Sequence, residues 1–382
     1  MSVPLVRAIN LRSLDVLRGL VATYVLLGHA RWLLWTGHAA WIKLQHSLAA
    51  NVLAYASVTV RYGHEAVMIF FVLSGFFIHL RVAPALVNAV PFTFKPLEFL
   101  RRRAHRLLAP YLFALLVTFV ADMTGRHFFP TLYVAHTGNA LLDSNFSCMG
   151  YSLVSVLPAL VFLPSSLGHD FGTNGPLWSL AYEIIYYLLY PAWLCLRRLG
   201  LTAGYGLGVG LWVLALWGPF VPFVSAVLAH YPVWLAGAAM AEILSIGFQF
   251  HRAYVPIVAA VAALAGFVVI NLSLPLSVEI IAYIFFGSGA VGVFASFPES
   301  FSISRVHRIC EELGIRGYSI YILHFPLLAL ISAWAIDRLG GRPVSGWLAA
   351  GGGMAVLGLC LLGFHLCERH FLHARLRPAL PQ

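Results

Sequence analysis

Charge is what this chain has least of. Asp, Glu, Lys and Arg together make up 10% of its 382 residues, where a soluble globular protein carries about 25%. With 24 Lys plus Arg and 14 Asp plus Glu, no polar shell can be drawn around a soluble body of this length. Two or three soluble domains are excluded, and the composition points to one body dissolved in lipid. Cysteine is also scarce. The spacing of Cys148, Cys195, Cys310, Cys360 and Cys367 matches no zinc pattern. Only Cys148 falls in a long segment assigned to the outside, so no disulfide is expected. The first apolar stretch has no small-residue cleavage site and carries Arg18, which argues against a cleavable signal peptide. No internal repeat, low-complexity tail or fused soluble domain is visible, so a single transmembrane domain over 1–382 is expected.

What the chain has in quantity is apolar and aromatic surface. Hydrophobic residues make up 60%, with 10 Trp, 16 Tyr and 27 Phe, as expected where spans end at a lipid interface. The net charge of +10 would suggest nucleic acid in a soluble protein. Here it reads as basic loops held against the inner leaflet, so the expected partner is the bilayer and not nucleic acid.

Apolar stretches long enough to cross a bilayer at about 1.5 Å per residue fall near 15–35, 63–80, 107–121, 176–196, 203–221, 229–247, 255–272, 278–297, 317–336 and 346–366. An eleventh, Gly150 to Pro164, contains Pro158 and ends in proline. Basic residues decide its status. The loop from Arg81 to Arg106 carries six of them and is therefore cytoplasmic. If 150–164 does not cross, 17 of the 24 basic residues lie inside, five (Lys43, Arg61, Arg126, Arg338, Arg342) outside, and Arg18 and Arg31 within the first span. The expected fold class is thus an all-α integral membrane protein. It is a bundle of about ten transmembrane helices with both termini cytoplasmic, and 150–164 is a re-entrant or interfacial segment within the outer segment 122–175. The expected location is the inner (plasma) membrane.

Some polar residues sit where lipid penalises them. Arg18 and His29 share the first span, and an ionisable group at membrane depth usually faces a bundle interior or a wet cavity. Eleven residues at 100° each come to within about 20° of three full turns, so the two point the same way, about 16 Å apart along the axis. Arg18 can equally snorkel to the inner interface, and His29 can be hydrogen-bonded packing. The histidines His38, His46, His64, His136, His169 and His230 show no ligand spacing, so no metal is expected.

Together with Ser13-Leu14-Asp15 ahead of it, the Arg18-(ten residues)-His29 pattern resembles the membrane-bound acyltransferase-3 family. That family includes O-acetyltransferases of bacterial surface polysaccharides. The likeness continues through FFVLSGFFI (Phe70–Ile78), RRAHRLLAPY (Arg102–Tyr111), WSLAYEIIYYLLYP (Trp178–Pro191), VWLAGAAMA (Val233–Ala241), YSIYILHFP (Tyr318–Pro326) and CERHF (Cys367–Phe371), in the family's order. His370 stands where the closing segment usually has proline, and Glu65 where a small residue is common.

The resemblance implies transfer of an acetyl or short acyl group from acetyl-coenzyme A, a substrate and not a bound cofactor, to a hydroxyl of a glycan or lipid-linked sugar. An alcohol needs a base to attack a thioester, and histidine titrates in the right range. His29 is therefore the candidate base. The rise from Arg18 matches an extended pantetheine arm, which puts Arg18 near the donor phosphates. Arg103 and Arg106, three apart on one helical face, suit phosphate oxygens with their guanidinium forks, although they can equally serve orientation alone. Glu183 lies near the depth of His29 and can orient it, hold the sugar, or lock two helices. Trp178, Tyr321 and His324 are candidate substrate contacts; Tyr318, Tyr321 and His324 share one broad helical face and can equally be packing. Ser74-Gly75 reads as close helix packing, since no Gly-x-Ser-x-Gly elbow accompanies it. The rival function is a proton-coupled transporter with Arg18, His29, Glu183 and His324 as a relay; no inverted repeat supports it. A homo-oligomer is compatible with the sequence.

Overall fold

A computed structural model describes residues 10–37, 48–218, 220–246, 254–298 and 304–372. Arg7, His38, Lys43, His46, Arg252, Arg375 and Arg377, which entered the topology and ligand readings, lie outside them. Each of the ten apolar stretches has a helix as its main part: α1 (Leu11–Leu34), α2 (Gly63–His79), α3 (Pro96–Phe128), α4 (Trp178–Leu199), α5 (Leu201–Trp217), α6 (Pro222–Ser245), α7 (Tyr254–Ile270), α8 (Leu276–Ala295), α9 (Gly317–Leu339) and α10 (Trp347–Gly363). The protein is an all-α, multi-pass membrane protein. The one strand pairing among the described residues is two residues long: β1 (Met149–Gly150) lies parallel to β2 (Asp170–Phe171).

Among the described residues, six helices are able to cross a bilayer by length and apolar composition, those built on α3, α4, α6, α8, α9 and α10. A seventh counts if α2 and the segment 54–61, bent by 45° between them, form one span. The other three stretches differ for physical reasons. Helices α5 and α7 have 17 residues each and reach about 26 Å, short of a hydrocarbon core about 30 Å thick. Helix α1 is 24 residues long but contains Arg12, Asp15, Arg18 and Arg31.

Two further boundaries depart from the sequence reading. The segment around Arg101–Arg106 is not loop but the first turns of α3, which runs 33 residues through Pro110. An exposed Glu98–Arg102 pair spaced i,i+4 supports its start. Within 150–164 the helix is only Leu153–Leu160. Its eight residues rise about 12 Å, too little to cross.

The chain divides into two compact units, each assembled from separated pieces. The first comprises 1–21, 64–96 and 182–315. Here α2 and α6 touch backbone to backbone. A Cβ on Gly75 would overlap the Trp234 carbonyl oxygen, and one on Gly237 would overlap that of Val72, the small-residue packing that lets helices approach in lipid. Below that crossing Glu242 is buried with two partners. Arg197 donates to it in a fork, Nε to Oε1 at 3.0 Å and an Nη to Oε2 at 2.7 Å. His79 Nε2 donates to Oε1 at 2.9 Å, while its Nδ1 lies 3.0 Å from the Tyr190 hydroxyl.

The second unit comprises 22–63, 97–181 and 316–382. Pro326 has no N–H, so the Ile322 carbonyl on α9 loses its helical donor; Asn174 Nδ2 takes that place at 2.9 Å and also reaches Thr118 Oγ1 at 3.0 Å. Buried Asp122 on α3 accepts from the Thr173 backbone N–H (2.8 Å), Thr173 Oγ1 (2.7 Å) and the Tyr151 hydroxyl (2.8 Å). The loop 172–174 is thereby clamped to α3 and α9. At the amino end of α9, Glu368 accepts from Ser319 N at 3.0 Å and Ser319 Oγ at 2.5 Å. A carboxylate there satisfies free N–H groups and faces the positive end of the helix dipole.

Candidate active site

The second unit holds His29, the candidate base. His29, on the half of α1 that belongs to it, is half-buried. Its Nδ1 lies 2.8 Å from Nε2 of His324, which is fully buried on α9. The two rings meet edge to edge and near-coplanar, with centroids 5.0 Å apart and planes at 20°. Phe325 meets the His29 ring edge-on at 5.0 Å. His324 Nδ1 points back at its own helix, 2.7 Å from the Tyr321 carbonyl and 3.1 Å from that of Ile320. Among the described residues His29 Nε2 has no hydrogen-bond partner.

Tyr321 and Trp178 are candidate substrate contacts from the sequence, Tyr321 equally a packing residue. The Tyr321 hydroxyl is buried, 2.6 Å from Ser179 Oγ, and donates to the Pro176 carbonyl at 3.0 Å. It ties α9 to the turn that begins α4. Trp178, the first residue of α4, is half-buried.

Arg103 and Arg106 lie one turn apart on α3. The Arg103 guanidinium sits over the Phe99 ring, 5.5 Å from its centroid. Arg106, half-buried like Arg103 while Arg101 and Arg102 are exposed, has an Nε that is buried without a hydrogen-bond partner among the described residues. A buried donor of that kind costs about 1–3 kcal/mol when unmade, so an anionic ligand there gains what the fold forgoes.

The remaining candidates belong to the first unit. Arg18 pairs with Asp15 one turn earlier and lies 4.6 Å from the centroid of the Phe77 ring. Its charge is partly answered by the motif's own aspartate. Glu183, half-buried on α4, accepts from Ser74 Oγ at 2.5 Å and from the Tyr187 hydroxyl; Trp234 Nε1 donates to Ser74 Oγ at 3.3 Å. Gly75 does serve close packing, as the sequence suggests, whereas its neighbour Ser74 is a polar link between three of the motifs.

Sequence reasoning passed over three buried polar groups: Glu242 with His79, Asp122, and Asn174. Glu242 was detectable as a lone carboxylate in an apolar run, but its partners were not. Among the described residues no group of three or more His, Cys, Asp or Glu is placed to hold a metal ion.

Against known families, residues 11–364 match the model of the acyltransferase-3 group, described as an acyltransferase domain. Neither the curated proteins nor the solved structures yield a match to the chain.

Proposed function

The chain belongs to the acyltransferase-3 family, and from that membership we propose that this membrane acyltransferase moves an acetyl or short acyl group from cytoplasmic acyl-coenzyme A to a hydroxyl of a glycan or lipid-linked sugar. The observation that carries the reading is His29: a half-buried histidine on a membrane helix, with one ring nitrogen engaged and the other open. In the step this supports, the open nitrogen takes the proton of the sugar hydroxyl as its oxygen attacks the thioester carbonyl. A C–O bond forms, the C–S bond breaks, and the coenzyme A thiolate leaves with the proton that the imidazolium returns. Arg103 and Arg106 bind donor phosphates, the latter through its unpaired Nε, and Arg18 assists three turns before His29 on α1. Glu183, already carrying two hydroxyl donors, and Trp178 serve the acceptor sugar. Thioester consumption by the purified protein, with and without glycan acceptors, tests this reading; no acceptor-dependent release of coenzyme A would exclude it.

Lysine replacement separates phosphate binding from orientation, because it keeps the charge that insertion reads and loses the planar fork. Arg103→Lys combined with Arg106→Lys is expected to insert normally and bind acetyl-coenzyme A about 10- to 100-fold more weakly, the equivalent of one charge-assisted hydrogen bond of about 1.5–3 kcal/mol. Donor binding equal to wild type would assign the pair to orientation and move the phosphate site towards Arg305, Arg308 and Arg316.

The reading also carries a topology: ten crossings in the inner membrane with both termini cytoplasmic, based on the basic-residue asymmetry. Single cysteines in a cysteine-free background are expected to be labelled from outside within 122–149 and 337–345, and not within 82–106 or 199–202. External labelling of 199–202 would make 150–164 a true span.

A further inference from the structure

We infer that His324 is a positioning residue, which holds His29 in the one tautomer whose bare Nε2 faces the reaction. The inference rests on the reading of His29 as the base and adds the atom that acts and the group that selects it. The hydrogen bonds determine where the protons are. A carbonyl oxygen only accepts, so His324 Nδ1, facing the Tyr321 and Ile320 carbonyls at 2.7 and 3.1 Å, carries a proton. A neutral imidazole has one such proton, so Nε2 of His324 is an acceptor. His29 Nδ1 lies 2.8 Å away and must be the donor. The single proton of neutral His29 is then committed, and its Nε2 is left as a lone pair. A doubly protonated His324 would reverse the chain. Its side chain is fully buried and has no acidic partner among the described residues, so an unpaired cation there is disfavoured.

The fold makes His324 rigid enough for this role. The Tyr321 hydroxyl is anchored to Ser179 and to the Pro176 carbonyl. The carbonyl freed by Pro326 is capped by Asn174. The in-plane hydrogen bond between the near-coplanar rings and the Phe325 edge fix the angle of His29. The arrangement resembles a histidine backed by a carboxylate, with a neutral acceptor in the carboxylate's place. It also ends the path of the proton. Among the described residues His324 Nδ1 meets only carbonyls of its own helix, so a proton taken up at His29 Nε2 leaves by the same atom. That suits one proton borrowed and returned within a transfer step, and it interrupts any relay running through His324.

Histidine ¹⁵N spectra of the intact protein in lipid, assigned by difference with His29→Gln, read the tautomer without reference to turnover. Wild type is expected to show His29 protonated at Nδ1 and bare at Nε2. His324→Leu should show both tautomers. His324→Gln, whose side-chain carbonyl accepts from Nδ1–H, should restore one. In steady state His324→Leu is expected to lower kcat about 10- to 100-fold, less than the roughly 10⁴-fold loss when an ionised orienting carboxylate is removed, with both KM values unchanged and most of kcat recovered in His324→Gln. A wild-type proton on Nε2, or a single tautomer surviving in His324→Leu, overturns the inference. So does a raised acceptor KM at unchanged kcat, which would make His324 a substrate contact. A correctly fixed tautomer in a protein that transfers no acyl group would instead leave the hold of His324 on His29 standing and overturn the acyl-transfer reading.

Discussion

His29→Ala is expected to cut acyl transfer by about 10²–10⁴, the range of a general-base contribution, in a protein that still inserts and folds. The variant strands the buried Nε2 of His324, whose donor is His29 Nδ1. A modest loss of thermal stability, about 1–3 kcal/mol, should therefore accompany the loss of rate. His29→Gln separates the two effects. Its amide N–H can donate to His324, so stability should return towards wild type, while no nitrogen able to take a proton is restored and turnover should stay low. Rates and thermal unfolding measured on the same detergent preparations check both halves. Near-normal turnover in either variant would reduce His29 to packing.

Glu242→Ala is expected to be the most destabilising single change in the first unit. The carboxylate is 4% exposed and is the common acceptor for Arg197 and His79. Removing it leaves a guanidinium that is itself buried without its counter-charge, a loss of about 3–5 kcal/mol. The cost is that of stranding a charge and not the net worth of the cluster. A combined Glu242→Leu, Arg197→Met, His79→Phe variant should therefore recover much of the lost stability, because apolar groups of similar volume need no partners. A thermal midpoint for Glu242→Ala close to wild type would show that water or lipid headgroups reach Arg197. Equal losses in the single and triple variants would place the effect in packing volume instead.

The cluster also shows where reading the sequence stops. Arg197 was counted as one of the basic residues that orient the chain, and nothing in its neighbours Leu196 and Arg198 marks it as an ion-pair partner. The side chain that answers it is 45 positions away. Ser74 was read through Gly75, whose small size was legible, while its hydrogen bond to Glu183 spans 109 positions. Arg103 and Arg106 are legible as one face because their spacing is helical, yet only the fold distinguishes them, leaving Nε of Arg106 buried and without a partner among the described residues. Tyr321 and His324 share a helix face at i and i+3, which the sequence shows plainly. That one anchors the helix while the other holds His29 depends on what lies opposite.

By itself the sequence determined the solvent, the helical class and the family. Too few charges exist to clothe a soluble body, and a chain in lipid must satisfy its backbone within each helix, so composition and run length suffice. Motifs kept in order along 11–364 were enough for the family. The tertiary structure alone decided which nitrogen of His29 is bare. That depends on a ring 295 residues further along the chain and on the carbonyls behind it, and a proton's place on imidazole is set by its partners, not by the residue that carries it.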